Sequence, residues 1–150
     1  MKDCFYQYRK ALYEALSALT YDGELIPVME FAGDQQTTPY IQILGMNSSF
    51  ERDDDKFTQT VITDIQVVTS HEGDPDEFGS KQSDDIMNDI MELLITKGVT
   101  VPDRAKFMTM DDFTDNGCYF SNLHYTPFYD GNKLFIIKIL TISTMIDQDN

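Results

Sequence analysis

The chain has 150 residues, of which 41% are hydrophobic, and its 26 acidic against 11 basic residues give a formal net charge of −15. That length and apolar content predict one globular domain over residues 1–150. Nucleic-acid binding needs clustered Lys and Arg, so sequence-specific binding is not expected. No apolar run approaches the roughly 18 residues of a membrane span, and the polar N-terminus does not resemble a signal peptide. We therefore expect neither a membrane-spanning segment nor a signal peptide.

The first third of the chain predicts a helix followed by strands. Apolar residues recur at three- and four-residue spacing over residues 3–20, with Asp3 as a possible cap and Gly23 at the exit. Residues 25–31 look extended, although Pro27 favours an edge or irregular strand there. Residues 40–48 alternate like a strand.

The middle of the chain predicts a hairpin and a second helix. Residues 57–70 alternate cleanly, with Val61, Ile65 and Val67 on one face. A polar connector at residues 48–56 would join this strand to the preceding one as an antiparallel hairpin. The second helix is expected over residues 83–97, with Ser83 as its N-cap.

The last third predicts an extended piece at residues 106–110 and then a long hairpin. Residues 118–129 and 133–146 read as strands, and the Asp-Gly-Asn sequence at 130–132 is a strong turn signal. The predicted order of elements is helix, strands, helix, strands. This order indicates an α+β fold with a mostly antiparallel sheet, two helices packed on one face, and long hairpins.

The final strand is apolar on both faces, although two helices cover only one face of a sheet. Burying an aliphatic side chain is worth roughly 1.5–3 kcal/mol, so an uncovered face would need a partner. We therefore expect a subunit interface on this strand. Replacing Ile136 and Ile142 together with Lys should leave a folded, non-assembling subunit. The predicted interface residues are Leu134, Ile136, Leu140 and Ile142.

The sequence contains no pattern typical of an active site or a metal site. His71 and His124 lack a nucleophile elbow, an HExxH motif or a glycine-rich phosphate loop, and Cys4 and Cys118 read as ordinary buried thiols. No catalytic, metal-binding or cofactor-binding residue is therefore predicted. The acidic clusters do not match calcium-loop spacing and are read as solvated loops. Their members are Glu51, Asp53, Asp54 and Asp55, and then Asp74, Asp76 and Glu77.

Aromatic residues concentrate near the C-terminal hairpin. They could stack on bases or sugars, but with so little positive charge nearby, core packing or subunit contact is favoured. The residues are Tyr119, Phe120, Tyr125, Phe128 and Tyr129.

The order of elements resembles the tail-completion and tail-terminator-like proteins of phages. The matching features are Ala11-Leu12 and Ala15-Leu16 in the first helix, Pro39-Tyr40-Ile41 opening a strand, and residues 63–68 in a long strand. The helix with Ile86, Ile90 and Leu93-Leu94 and the closing turn at residues 130–132 also match. The chain departs from the family at residues 25–29, where members often carry an Arg-Ile-Tyr-like step.

The resemblance implies a non-catalytic virion protein that forms a ring of six or twelve copies in a phage neck. Such a ring would join the portal or connector to the tail and let the genome pass, and the acidic clusters would line the bore or dock a neighbouring ring. Two alternatives stay open: an acidic DNA mimic that inhibits a DNA-binding host protein, and a small hydrolase or ligand-binding domain, which would need a pocket with convergent polar groups.

Overall fold

The computed structural model describes residues 2–33, 36–53, 56–72, 80–94 and 110–149. Two helices and four long strands account for most of them, together with three strands of two residues each. In chain order the elements are α1 (Phe5–Leu16), β1 (Thr20–Tyr21), β2 (Glu24–Leu25), β3 (Val28–Met29), β4 (Tyr40–Asp53), β5 (Lys56–Glu72), α2 (Lys81–Leu94), β6 (Phe113–Asp130) and β7 (Lys133–Gln148).

The main sheet has five strands in the order β3-β4-β5-β7-β6. The pairs β4–β5, β5–β7 and β7–β6 are antiparallel, and only the short β3 runs parallel to its neighbour. Strands β6 and β7 are joined by a two-residue turn in which Gly131 has a φ of +63°, a conformation that glycine adopts without strain. The sheet therefore consists mainly of two long hairpins laid side by side.

Both helices pack on the same face of this sheet. Their buried side chains, among them Leu12 of α1 and Ile90 of α2, form one cluster with Val61 and Ile65 of β5 and with Leu140 of β7. The opposite sheet face is not covered by either helix. The α+β class, the mostly antiparallel sheet and the one-sided helix layer are thus confirmed.

Polar contacts tie each helix to β7. Tyr8 of α1 is fully buried, and its hydroxyl forms a 3.0 Å hydrogen bond with the hydroxyl of Thr144. The ammonium group of Lys138, on the same face, pairs with the carboxylate of Asp84 in α2. These contacts fix the helix layer over the middle of the sheet.

Several expected boundaries are wrong. The connector expected at residues 48–56 is mostly strand, because β4 continues to Asp53 and β5 begins at Lys56. Helix α1 ends at Leu16, and Gly23 instead serves a tight turn between β1 and β2, where Asp22 and Gly23 both have positive φ.

The second helix also differs from its expected start. It begins at Lys81, which makes Ser83 a buried residue inside the helix and not its N-cap. The expected helix end at residues 95–97 and most of the extended piece at 106–110 lie outside the described residues. Among the described helices, none is long and apolar enough to span a membrane.

Candidate assembly surface

The predicted interface on β7 lies mostly in the protein's own core. Leu140 and Ile142 are 0% exposed, Ile136 is 1% exposed, and only Leu134 remains half-buried near the turn. Side chains sealed in this way cannot contact a second chain. The assignment of Ile136, Leu140 and Ile142 to an outer face is therefore wrong, whereas a subunit contact at Leu134 stays a prediction.

The register between β5 and β7 explains this burial. Ile65 lies opposite Leu140 and Thr63 lies opposite Ile142, so these β7 residues share the helix-covered face of β5. The even-numbered residues of β7 point toward the helices, whereas the odd-numbered residues point to the other side. That other side, which we call the open face, is where a partner would find apolar surface.

The open face carries a mixture of apolar and polar side chains. Ile62 of β5 and Met145 of β7 are 45% and 42% exposed there, and Ile137 and Ile139 are half-buried. Between them, the hydroxyl of Thr141 donates a 2.6 Å hydrogen bond to the carboxylate of Asp64. Polar groups on the open face thus form hydrogen bonds with each other across strands, and this face is not a continuous apolar surface.

The largest group of exposed apolar residues lies on β6, at one edge of the sheet. Every residue from 121 to 130 is exposed, and the ring of Phe128 stacks on that of Phe135 with centroids 5.2 Å apart. Of the aromatic residues singled out in the sequence, only Phe120 packs against the core. The exposed apolar side chains of this strand are Tyr119, Leu123, Tyr125, Phe128 and Tyr129.

Strand β6 also lacks charge. From residue 118 to residue 129 the sequence contains no Asp, Glu, Lys or Arg, although a quarter of the whole chain is charged. No described strand pairs with the outer edge of β6. Proteins normally protect such an edge with charges, prolines or bulges, and here Pro127 and two register shifts are the visible protection. Exposed, aromatic and uncharged, this edge is suited to a protein contact.

A second open edge lies on the other side of the sheet. Strand β3 pairs with β4 only at Ile41 and Gln42, and no described strand continues the sheet beyond that point. From residue 43 to residue 50 this part of β4 is likewise uncharged, and Phe50 is 53% exposed. The sheet thus presents two uncharged edges on opposite sides.

The acidic clusters are only partly described. Glu51 is exposed and Asp53 ends β4, so both belong to a strand, and their assignment to a loop is wrong. The other predicted acidic residues lie outside the described residues; they are Asp54, Asp55, Asp74, Asp76 and Glu77. The role of these acids in a bore or in docking stays a prediction.

Histidine and acidic side chains are the groups to consider for chemistry in the described ranges. His124 is exposed on β6, where its Nε2 atom lies 2.9 Å from the hydroxyl oxygen of Thr126. No group of three or more His, Cys, Asp or Glu residues in the described ranges is placed to hold a metal ion. A surface groove of about 340 Å³ lies beside β2, and its lining includes Asp22 of the β1–β2 turn and Glu24 of β2.

The two cysteines are buried, and we expect them to be unreactive in the folded protein. Burial raises the pKa of the Cys4 thiol from 9.0 to about 11, with a smaller contribution from the negative charge of Asp3. At pH 8 this leaves about 100-fold less reactive thiolate at Cys4 than in an unfolded chain. Iodoacetamide labelling mapped by peptide mass should be slow at Cys4 in buffer and fast in urea. Fast labelling of native Cys4 would contradict this prediction.

Comparison with known proteins gives a fold but no family. The chain is similar in structure to a chain of the virion of a native gene transfer agent particle, with a TM-score of 0.69 and 12% sequence identity. The similarity covers 98% of this chain and 99% of that chain. No protein-family model matches the sequence, and no curated protein matches it. The two chains therefore share their fold over nearly their whole lengths.

Proposed function

We propose that this chain is a structural virion protein, a ring-forming subunit of a neck or tail-completion complex that joins the portal or connector to the tail. The observation that carries the proposal is the nearly full-length fold similarity to a chain of a virion particle. The resemblance in element order to tail-completion proteins points the same way. The work of such a subunit is assembly, and no catalytic step is assigned to it.

The surface of the described residues supports an assembling protein. Five apolar side chains of β6 are exposed. Burying several of them in a contact with another chain would stabilise an assembly relative to the monomer. The net charge of −15 would repel the phosphates of a passing genome, which suits a bore that DNA crosses without adhering. A DNA mimic, in contrast, needs carboxylates along its exposed surface, and the exposed edge strand β6 has none between residues 118 and 129.

The proposal is tested by the mass and shape of the purified full-length protein. Native mass spectrometry should find six or twelve copies of the 17.2 kDa chain, and negative-stain electron microscopy should show rings with an open centre. Adding double-stranded DNA at physiological salt should give no stable complex. A protein that stays monomeric across the accessible concentration range would contradict the ring.

A further inference from the structure

We propose that neighbouring copies join edge to edge, with the outer edge of β6 in one copy pairing with the outer edge of β4 in the next. The interface would extend the five-stranded sheet from subunit to subunit. This inference rests on the proposed ring and specifies how it closes.

The direction of the strands favours this joint. Strand β4 is antiparallel to β5, β5 to β7, and β7 to β6, so β4 and β6 run in opposite directions. When a second copy continues the sheet in the same orientation, its β4 meets β6 as an antiparallel neighbour. The alternation of strand directions then continues through the joint without interruption. Antiparallel pairing of this kind is slightly more stable per residue than parallel pairing.

The two edges match in length and in chemistry. Residues 43–50 of β4 and residues 118–126 of β6 are of similar length, and neither contains a charged residue. In a chain with a net charge of −15, two surfaces without acidic residues can approach with little electrostatic repulsion. Pro127 has no N–H to donate, so pairing is expected to stop before it.

Exposed apolar side chains beside the two edges lie on the same side of the sheet. Phe50 lies opposite the buried Gln59, and Leu123 and Tyr125 lie opposite Leu140 and Lys138, so all three project on the helix-covered side of the sheet. They are 53%, 45% and 45% exposed, respectively. A continuous sheet would place these apolar groups on the same side of the joint, where the neighbouring subunit would reduce their exposure to water.

The joint is heterologous, because one edge meets a different edge of the next copy. Interfaces of this type close into rings when the rotation between copies allows it, whereas pairing of one edge with the same edge of a second copy gives a closed dimer. The open edges on the two sides of one sheet thus provide both halves of the contact that a ring needs.

Two edge variants test the joint. One is Leu123→Lys with Tyr125→Lys on β6, and the other is Ser49→Lys with Phe50→Lys on β4. Lysines on an exposed edge oppose strand pairing, and all four positions are exposed, so both variants should fold. A matched control, Ala18→Lys with Asn88→Lys, makes the same charge change at exposed positions outside both edges.

Light scattering on the folded variants gives distinct outcomes. Each edge variant alone should be monomeric, the control should keep the wild-type ring, and an equimolar mixture of the two edge variants should give a 1:1 dimer through the remaining intact pair of edges. Rings from either edge variant alone, or a mixture that stays monomeric while the wild type assembles, would overturn the edge joint and leave the proposed function standing. A monomeric wild type would overturn both.

Discussion

Replacing Ile142 with Lys should unfold the protein, whereas replacing Ile62 with Lys should not. Ile142 is fully buried in the cluster beneath the helices, so an ammonium group there would be buried without a partner. Such changes cost upward of about 4 kcal/mol, comparable to the total stability of a small domain, which is roughly 5–15 kcal/mol.

Ile62 is a matched control, since it has the same side chain on the neighbouring strand. It pairs with Ser143, next to Ile142, but points to the open face, where it is 45% exposed. We expect Ile62→Lys to change the free energy of unfolding by less than about 1 kcal/mol. Circular dichroism with urea denaturation distinguishes the two variants. A folded Ile142→Lys chain would restore the original hypothesis that this side of β7 faces a neighbour.

The second large effect is expected at Tyr8, which anchors α1 to the sheet. Removing the side chain in Tyr8→Ala should cost about 3–5 kcal/mol, because it leaves a cavity where a fully buried ring packed. Tyr8→Phe keeps the ring and removes only the hydroxyl that bonds to Thr144, so about 1–2 kcal/mol is expected.

Tyr6 provides the control for this pair. It lies on the same helix but is 67% exposed, so Tyr6→Ala should change stability by about 0.5 kcal/mol or less. Chemical denaturation of all three variants gives the comparison. Equal losses for Tyr8→Ala and Tyr6→Ala would mean that α1 does not dock on the sheet as described.

The fold class could be predicted because the strand and helix periodicities are separate in this sequence. In β5 the apolar residues Val61, Ile65 and Val67 alternate with Thr60, Asp64 and Gln66, and the structure buries the first three completely. The Asp-Gly-Asn turn correctly located the second hairpin. The local sequence pattern is sufficient to predict the buried face of an element when its other face is exposed to solvent.

The orientation of β7 could not be predicted from its own residues. Its two faces are both apolar, although the helices cover only one of them, and periodicity alone distinguishes two faces without saying which is covered. The signal that would have decided the matter is the register with β5, whose buried face is obvious from its sequence. Leu140 lies opposite Ile65, and that single pairing places it inside.

The open edges could not be predicted from the sequence either. Tyr119, Tyr125, Phe128 and Tyr129 form an evident group in the sequence, but their exposure depends on β6 being the last described strand of the sheet. Strand order is a long-range property that residue pattern does not encode. The uncharged stretch from 118 to 129 becomes informative only once its position at an edge is known.

The exposed part of the β6–β7 hairpin bears on how the stability of this protein should be understood. From residue 121 to residue 130 every residue of β6 is exposed, and among the described strands only β7 pairs with it. Strand β7 is held by β5 along the same stretch, so β6 is the less protected strand of the hairpin. If a neighbouring copy binds this part of β6, the order of the strand becomes linked to protein concentration by mass action. The strand would then fray in a dilute solution and be rigid in a concentrated one.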